Sequence, residues 1–287
     1  MGIQQGLPEL NFGADLSNLI KTLIEFIKNK TWISGILLGL LGWFPYIIAV
    51  SMIGIVLVQP LTSLGLVIYV ICAIKILNEK INIIELIAVI LLTFAPIFLA
   101  LAKISEIYIN LVKFQISFFL FLSIMLIISI TCFILSRKKK QDNFLNGILI
   151  TFSGAILYSL GTIFTNILTQ AIIDAEINII SWFGWTEILF GIFFFDFYHF
   201  WVFFGFWGMI SCYIIGLIFY QSGFQKVKSL YVYLIINSVA LIAPIIAGLF
   251  IFNQIFSNYI FFVIGIILII FSTIFLTKFQ AEMEDVE

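Results

Sequence analysis

Residues 115–136, QISFFLFLSIMLIISITCFILS, carry no charged side chain at all. A run of that length and apolarity constrains a chain more than any short motif can. About 20 predominantly apolar residues, rising ~1.5 Å each as a helix, are needed to cross the hydrocarbon layer of a bilayer. Similar runs recur between polar breaks at about 32–52, 60–77, 82–102, 145–172, 198–220, 229–252 and 257–277. With 10% charged and 63% hydrophobic residues, the chain sits far from the ~25% charge of soluble domains. Hydrocarbon tolerates no lipid-exposed loop or sheet edge, so an all-α polytopic membrane protein of about eight transmembrane helices is expected. The Ile and Phe content alone would favour strands, but the runs are too long for them.

Lys and Arg set the orientation. If the SRKKKQD loop is cytoplasmic, Arg137, Lys138, Lys139 and Lys140 share a side with Lys21, Lys28, Lys30, Lys75, Lys80, Lys226, Lys228 and Lys278. Of the 14 Lys and Arg, only Lys103 and Lys113 are then outside. The expectation is a multi-pass plasma- or inner-membrane protein with both termini in the cytoplasm. The stretch INIISWFGWTEILFGIFFF, 177–195, is also long enough to span, but a ninth helix there would carry Lys226, Lys228 and Lys278 outside. It therefore reads as an aromatic external loop (173–197) or interfacial helix, with Trp182 and Trp185 at headgroup level. Asp174, Glu176, Glu187 and Asp196 suit that outer side.

Residues 1–31 differ from the rest of the chain. ADLSNLIKTLIEFIKN sets Leu16, Leu19, Ile20, Leu23, Ile24 and Ile27 at helical spacing, with Asp15, Asn18, Lys21, Thr22, Glu25 and Lys28 over most of the other face. That describes a cytoplasmic amphipathic helix, lying in the membrane interface or packed under the bundle. Its periodic rather than continuous apolar residues exclude a secretory signal. Beyond it come a first membrane repeat (32–114), a second (115–278) and an acidic cytoplasmic tail (279–287).

The repeat is read by setting LVQPLTSLGLVIYVICAIKILNEK, 57–80, on residues 232–255. Ser63 then falls on Ser238, Cys72-Ala73 on Ala247-Gly248, and Asn78-Glu79 on Asn253-Gln254. In the expected topology the two copies run in opposite directions, as an inverted repeat requires. A helix rich in small residues, a break, LVQPL opening the next helix and LNEK closing it together resemble the EamA-like drug/metabolite transporter superfamily, in particular its archaeal and NIPA-type (magnesium-transporter-like) members. The matching stretch covers about 32–102 well and 143–278 weakly. The resemblance implies two inverted five-helix repeats, a central substrate cavity and alternating access. Here the second repeat has five helices and the first only three, so a start codon further upstream, or a reduced form of the fold, is expected. NIPA-type members carry an acidic residue and an Asn before the break. Aligned on LVQPL, those positions are Trp43 and Tyr46, which removes the carboxylate oxygens that Mg²⁺ prefers.

A charge at mid-membrane costs at least ~2.5–3.5 kcal/mol and would mark function, but none of the eight segments has one at its middle. Lys75, Glu79, Glu85, Asp196 and His199 all lie near segment ends. A multiply charged anion would lack its counter-charge, so a small neutral, zwitterionic or amphiphilic solute fits better. On segment 145–172, Thr151, Tyr158, Thr162, Thr165 and Thr169 share one helical face, with Asn166 beside it. Asn237-Ser238 lies near mid-depth of segment 229–252, and Thr62-Ser63 is its repeat-related pair. The substrate-path candidates are Trp43, Tyr46, Ser63, Tyr158, Thr162, Thr165, Asn166, Asn237 and Ser238. The alternative is that these groups only hydrogen-bond between helices, at ~0.6–2 kcal/mol each.

Other features read as structure. Gly35, Gly39 and Gly42, and Gly147, Gly154 and Gly161, form small-residue tracks for close helix approach. Asn82 to Glu85 reads as a capping box, Asp196 and His199 as an interfacial ion pair, and Cys72, Cys132 and Cys212 as small hydrophobes. No His-Glu-x-x-His, Gly-x-Ser-x-Gly or phosphate-binding Gly-rich loop occurs, so no enzyme, cofactor or metal site is expected. The basic cluster at 137–140 is explained by orientation and needs no nucleic acid. Expected partners are the lipid bilayer and a small-molecule substrate, with a homodimer left open. Two alternatives stay beside the solute transporter: a NIPA-type divalent-cation transporter with other ligands, and a non-transporting membrane subunit or scaffold.

Overall fold

The computed structural model describes residues 8, 10, 16–53, 65–77, 82–102, 111–138, 143–179, 181–251 and 257–284. Among these the architecture is helical, without a strand. The helices are α1 (Leu16–Lys28), α2 (Lys30–Ile53), α3 (Gly65–Leu77), α4 (Ile83–Leu101), α5 (Gln115–Lys138), α6 (Asn143–Asp174), α7 (Trp182–Phe190), α8 (Phe197–Phe224), α9 (Ser229–Phe250) and α10 (Tyr259–Glu284). Ser63, with Thr62, Gln59-Pro60, Asn78-Glu79 and Asn253-Gln254, lies outside the described residues.

Each expected apolar segment is helical over its described part. Among the described residues, four helices (α5, α6, α8 and α9) are long and apolar enough to cross a membrane, and shorter apolar helices accompany them. This is an α-helical membrane protein. Pro45, Pro96 and Pro244 sit inside α2, α4 and α9; neighbouring helices and local adjustment let membrane helices tolerate such residues.

α6 is the centre of the bundle: 78% of its apolar window is buried inside the molecule, against 17% for α5 and 22% for α8. α8 runs antiparallel along it, and the two backbones touch where glycine faces glycine. A Cβ placed on Gly154 would stand 2.9 Å from the Gly216 carbonyl oxygen, and one on Gly216 3.0 Å from the Gly154 oxygen. Only hydrogen fits there, so the small-residue reading holds on α6. On α2 a Cβ on Gly35, Gly39 or Gly42 would meet no described residue within 4 Å.

α5 joins the other side of α6 through buried hydroxyls. Ser129 and Ser153 hydroxyl oxygens lie 2.9 Å apart, and Ser153 also donates to the Ser129 carbonyl at 2.9 Å. In a medium without water such bonds act as glue between helices. α4 lies antiparallel against α10, with the Ser272 hydroxyl donating to the Ala88 carbonyl at 2.7 Å and the Ser257 N–H to the Ala102 carbonyl at 3.2 Å. The core forms two clusters. One is built by α5, α6, α7 and α8 around Phe118, Phe164 and Trp201; the other by α3, α4 and α10 around Leu92 and Ile269. α9 contributes to both, with Leu230, Leu234 and Leu241 in the second and Ala247 in the first. The packing therefore does not divide at residue 115, since α4 of the first expected repeat lies along α10 of the second.

The stretch 177–195 does not form one long helix. α7 starts at Ser181, whose hydroxyl accepts the Gly184 N–H at 2.9 Å, and stops after 9 residues at Phe190. At ~1.5 Å per residue it covers about 14 Å, half of the ~30 Å hydrocarbon core. A 3-10 turn (Gly191–Phe194) follows, and Phe195 at φ 51° reverses the chain into α8. The turn lies close on α8 because Gly191 has no Cβ; one would fall 2.5 Å from the His199 carbonyl oxygen. Trp182, 89% exposed, and Phe195, 94% exposed, stand at the rim.

Forcing a branched side chain between α6 and α8 should be costly. Gly154→Val is expected to destabilise by about 1–3 kcal/mol through overpacking, while Gly39→Ala, which meets open space, leaves stability unchanged or raised. Thermal unfolding of the two variants in detergent, relative to wild type, measures the difference.

Candidate functional site

The polar side of α6 is only partly covered. Tyr158, Thr162, Thr165 and Asn166 are half-buried and Thr169 is exposed, while the residues between them, including Ile163, Phe164, Ile167 and Leu168, are buried. Thr151 departs from the expected stripe: it is fully buried, and its hydroxyl donates to the Gly147 carbonyl at 2.7 Å.

The threonine hydroxyls are partly spoken for by their own helix. Thr162 donates to the Tyr158 carbonyl at 3.4 Å, Thr165 to Gly161 at 2.9 Å and Thr169 to Thr165 at 2.9 Å. A hydroxyl has one donor and two acceptor lone pairs, so what remains on the open side is acceptor capacity. Across from the strip, the Tyr213 hydroxyl on α8 stands 3.4 Å from Thr162 Oγ1 and 3.3 Å from Thr165 Oγ1. Its ring lies 5.0 Å from that of Tyr158, which also meets Tyr220 at 6.5 Å. The Asn166 side chain makes no hydrogen bond to any described residue. The strip thus combines aromatic walls, hydroxyl acceptors, and one amide with both donors and an acceptor, and none of these groups is charged. Such a surface suits a solute that donates hydrogen bonds and carries apolar area.

The other candidates are not brought to this strip by any described contact. Asn237, half-buried on α9, donates to the Tyr233 carbonyl at 2.9 Å, and Ser238 is 3% exposed. Trp43 and Tyr46 fall on α2, their side chains outside the described set. Tyr213 and Tyr220 were not among the sequence candidates, although their i, i+7 spacing in a helix of Phe and Ile is a legible signal for one face.

The two ends of the bundle differ in charge. At one end Lys226 Nζ donates to Asn146 Oδ1 at 2.6 Å, and Asn146 Nδ2 to the Ser136 carbonyl at 3.0 Å, next to Arg137 and Lys138. Buried Gln225 binds the N-terminal segment there, donating to the Pro8 carbonyl at 2.9 Å and accepting the Leu10 N–H at 3.0 Å. At the other end, the single His of the chain, His199, lies between two carboxylates. Its Nδ1 is 3.1 Å from Asp196 Oδ2, and Nε2 is 3.8 Å from Glu187 Oε1. The ring stacks on Phe194 with centroids 5.0 Å apart. The carboxylates face opposite ring edges, and among the described residues no three His, Cys, Asp or Glu converge on a point that could hold a metal ion.

Asp196 is also the N-cap of α8, accepting the Tyr198 and His199 N–H groups at 3.0 and 3.3 Å. The His199 ring bond, helped by these backbone N–H groups, holds its carboxyl below the usual carboxylate range. Asn82 similarly opens α4, accepting the Ile83 N–H at 2.6 Å; the Glu85 side chain lies outside the described set.

Comparison of the chain with family models, curated proteins and solved structures returns no match. The reading of the site rests on its chemistry.

Asp196→Ala is expected to lose about 1 kcal/mol of stability through the missing cap, and Asp196→Asn to lose less. Because the carboxyl is depressed in the folded state, its contribution is present above the ordinary carboxylate pKa of ~3.9 and lost as pH falls below it. Melting temperature against pH should show the wild type and Asp196→Asn converging in acid.

Proposed function

We propose that this protein is a multi-pass transporter of the drug/metabolite type, moving a small neutral, zwitterionic or amphiphilic solute by alternating access. In this reading the eight apolar segments are transmembrane helices of an inverted repeat, three of them in the first half and five in the second. The chain lies in the cell membrane with its termini in the cytoplasm. The observation that carries it is the uncharged polar strip of Tyr158, Thr162, Thr165 and Asn166 on the open side of the most buried helix. The threonine hydroxyls are served by their own helix and by Tyr213, but the Asn166 amide directed at lipid would be left unsatisfied, whereas directed at a passage it meets water or solute. The gathering of Lys226, Arg137 and Lys138 at one end of the bundle supports the orientation by the positive-inside rule.

Movement would be driven by an ion or solute gradient and would change the relation between the two core clusters that α9 joins. Proteoliposomes tested with amines, amino acids, amphiphiles and divalent cations are expected to show gradient-dependent uptake of an organic solute. Thr165→Val and Asn166→Leu should reduce it at least tenfold without lowering the melting temperature. Uptake confined to divalent cations would replace this reading with the cation carrier. A well-folded protein inert to the whole panel would leave a scaffold.

A further inference from the structure

Among the described residues, α1 is held to the bundle by one flank. Phe26 is 1% exposed; it packs with Leu10, Leu23 and Ile218 and meets the Trp32 ring edge-on at 5.5 Å. The bonds of Gln225 to Pro8 and Leu10 fix the segment ahead of α1 at the turn after α8. On the helical wheel the neighbouring face is Ile20, Ile24 and Ile27, and these are 49%, 44% and 55% exposed. The far flank of that face carries Lys21 and Lys28, both exposed, and exposed Lys30 comes next along the chain. Glu25 is the only carboxylate within α1.

The position along the chain is as telling as the pattern. α1 ends one residue before α2, with Asn29 Oδ1 accepting the Trp32 N–H at 3.0 Å. Trp32 opens the first apolar segment, so the isoleucine face begins at Ile27 about one and a half turns from the hydrocarbon edge and reaches Ile20 about three turns from it. Three adjacent exposed isoleucines bordered by lysines match a surface of acyl chains beneath anionic headgroups, where lysine stems lie along apolar surface and their ammonium groups reach phosphate. A second copy docked face to face would set Lys21 and Lys28 against their own counterparts across a two-fold axis.

We propose that the Ile20, Ile24 and Ile27 face of α1 docks on the anionic membrane surface, with Lys21, Lys28 and Lys30 binding lipid phosphates, and so ties the leaflet to the turn between α8 and α9. The full chain in nanodiscs tests this without any variant. Amide hydrogen exchange of residues 16–28 should be at least tenfold slower in phosphatidylglycerol discs than in phosphatidylcholine discs, with α8 unchanged. The triple change Lys21→Ala, Lys28→Ala, Lys30→Ala should abolish that difference. A spin label at Ile24→Cys should be shielded from an aqueous relaxant, and one at Glu25→Cys should not. Equal exchange in both lipids, equal relaxation of the two labels, or dipolar coupling between labels on two copies would each overturn the proposal.

Discussion

The backbones of α6 and α8 meet at Gly154 and Gly216, and the rest of the bundle is arranged around that contact. Lipid supplies no hydrophobic drive between helices, so close packing and hydrogen bonds must hold them together. The α6 and α8 contact supplies the first, and the Ser129–Ser153 pair between α5 and α6 supplies the second. With α8, α5 and α9 disposed around it, α6 keeps one side only half covered. That side carries Tyr158, Thr162, Thr165 and Asn166.

α9 gives the arrangement a second consequence. Its residues belong to both core clusters, one built on α5 to α8 and one on α3, α4 and α10. Any relative motion of these bodies has to be absorbed along α9, which holds Pro244 in its interior and Asn237-Ser238 near its middle. A helix shared by two bodies and weakened by a missing backbone bond is a natural pivot for the proposed alternation.

Much of this is legible in the amino-acid sequence. Hydropathy alone located helices wherever the segments are described, because lipid leaves the backbone few options. Counting lysines sets 177–195 apart from the segments expected to span, and in the structure that stretch breaks between Phe190 and Phe195. The stripe on α6 could be read from spacing, since Tyr158, Thr162 and Thr165 lie on one helix. Its partner Tyr213 could not, because a contact between residues this far apart is set by how α6 crosses α8, and periodicity within one helix carries no such information. The same limit explains the glycines. Gly154 and Gly39 are alike as letters, but among the described residues only the first has a helix passing over it.

In the proposed transporter, the open side of α6 faces an aqueous passage rather than lipid. Cysteines placed singly at Thr162, Asn166 and, as the lipid-facing control, Ile127, and treated in sealed vesicles with a charged thiol reagent, address it most directly. Labelling at Thr162 and Asn166 well above the parent protein, with none at Ile127, is the predicted result. If Thr162 and Asn166 stay as unreactive as Ile127, the strip does not face water and the account of a solute path through this bundle is contradicted.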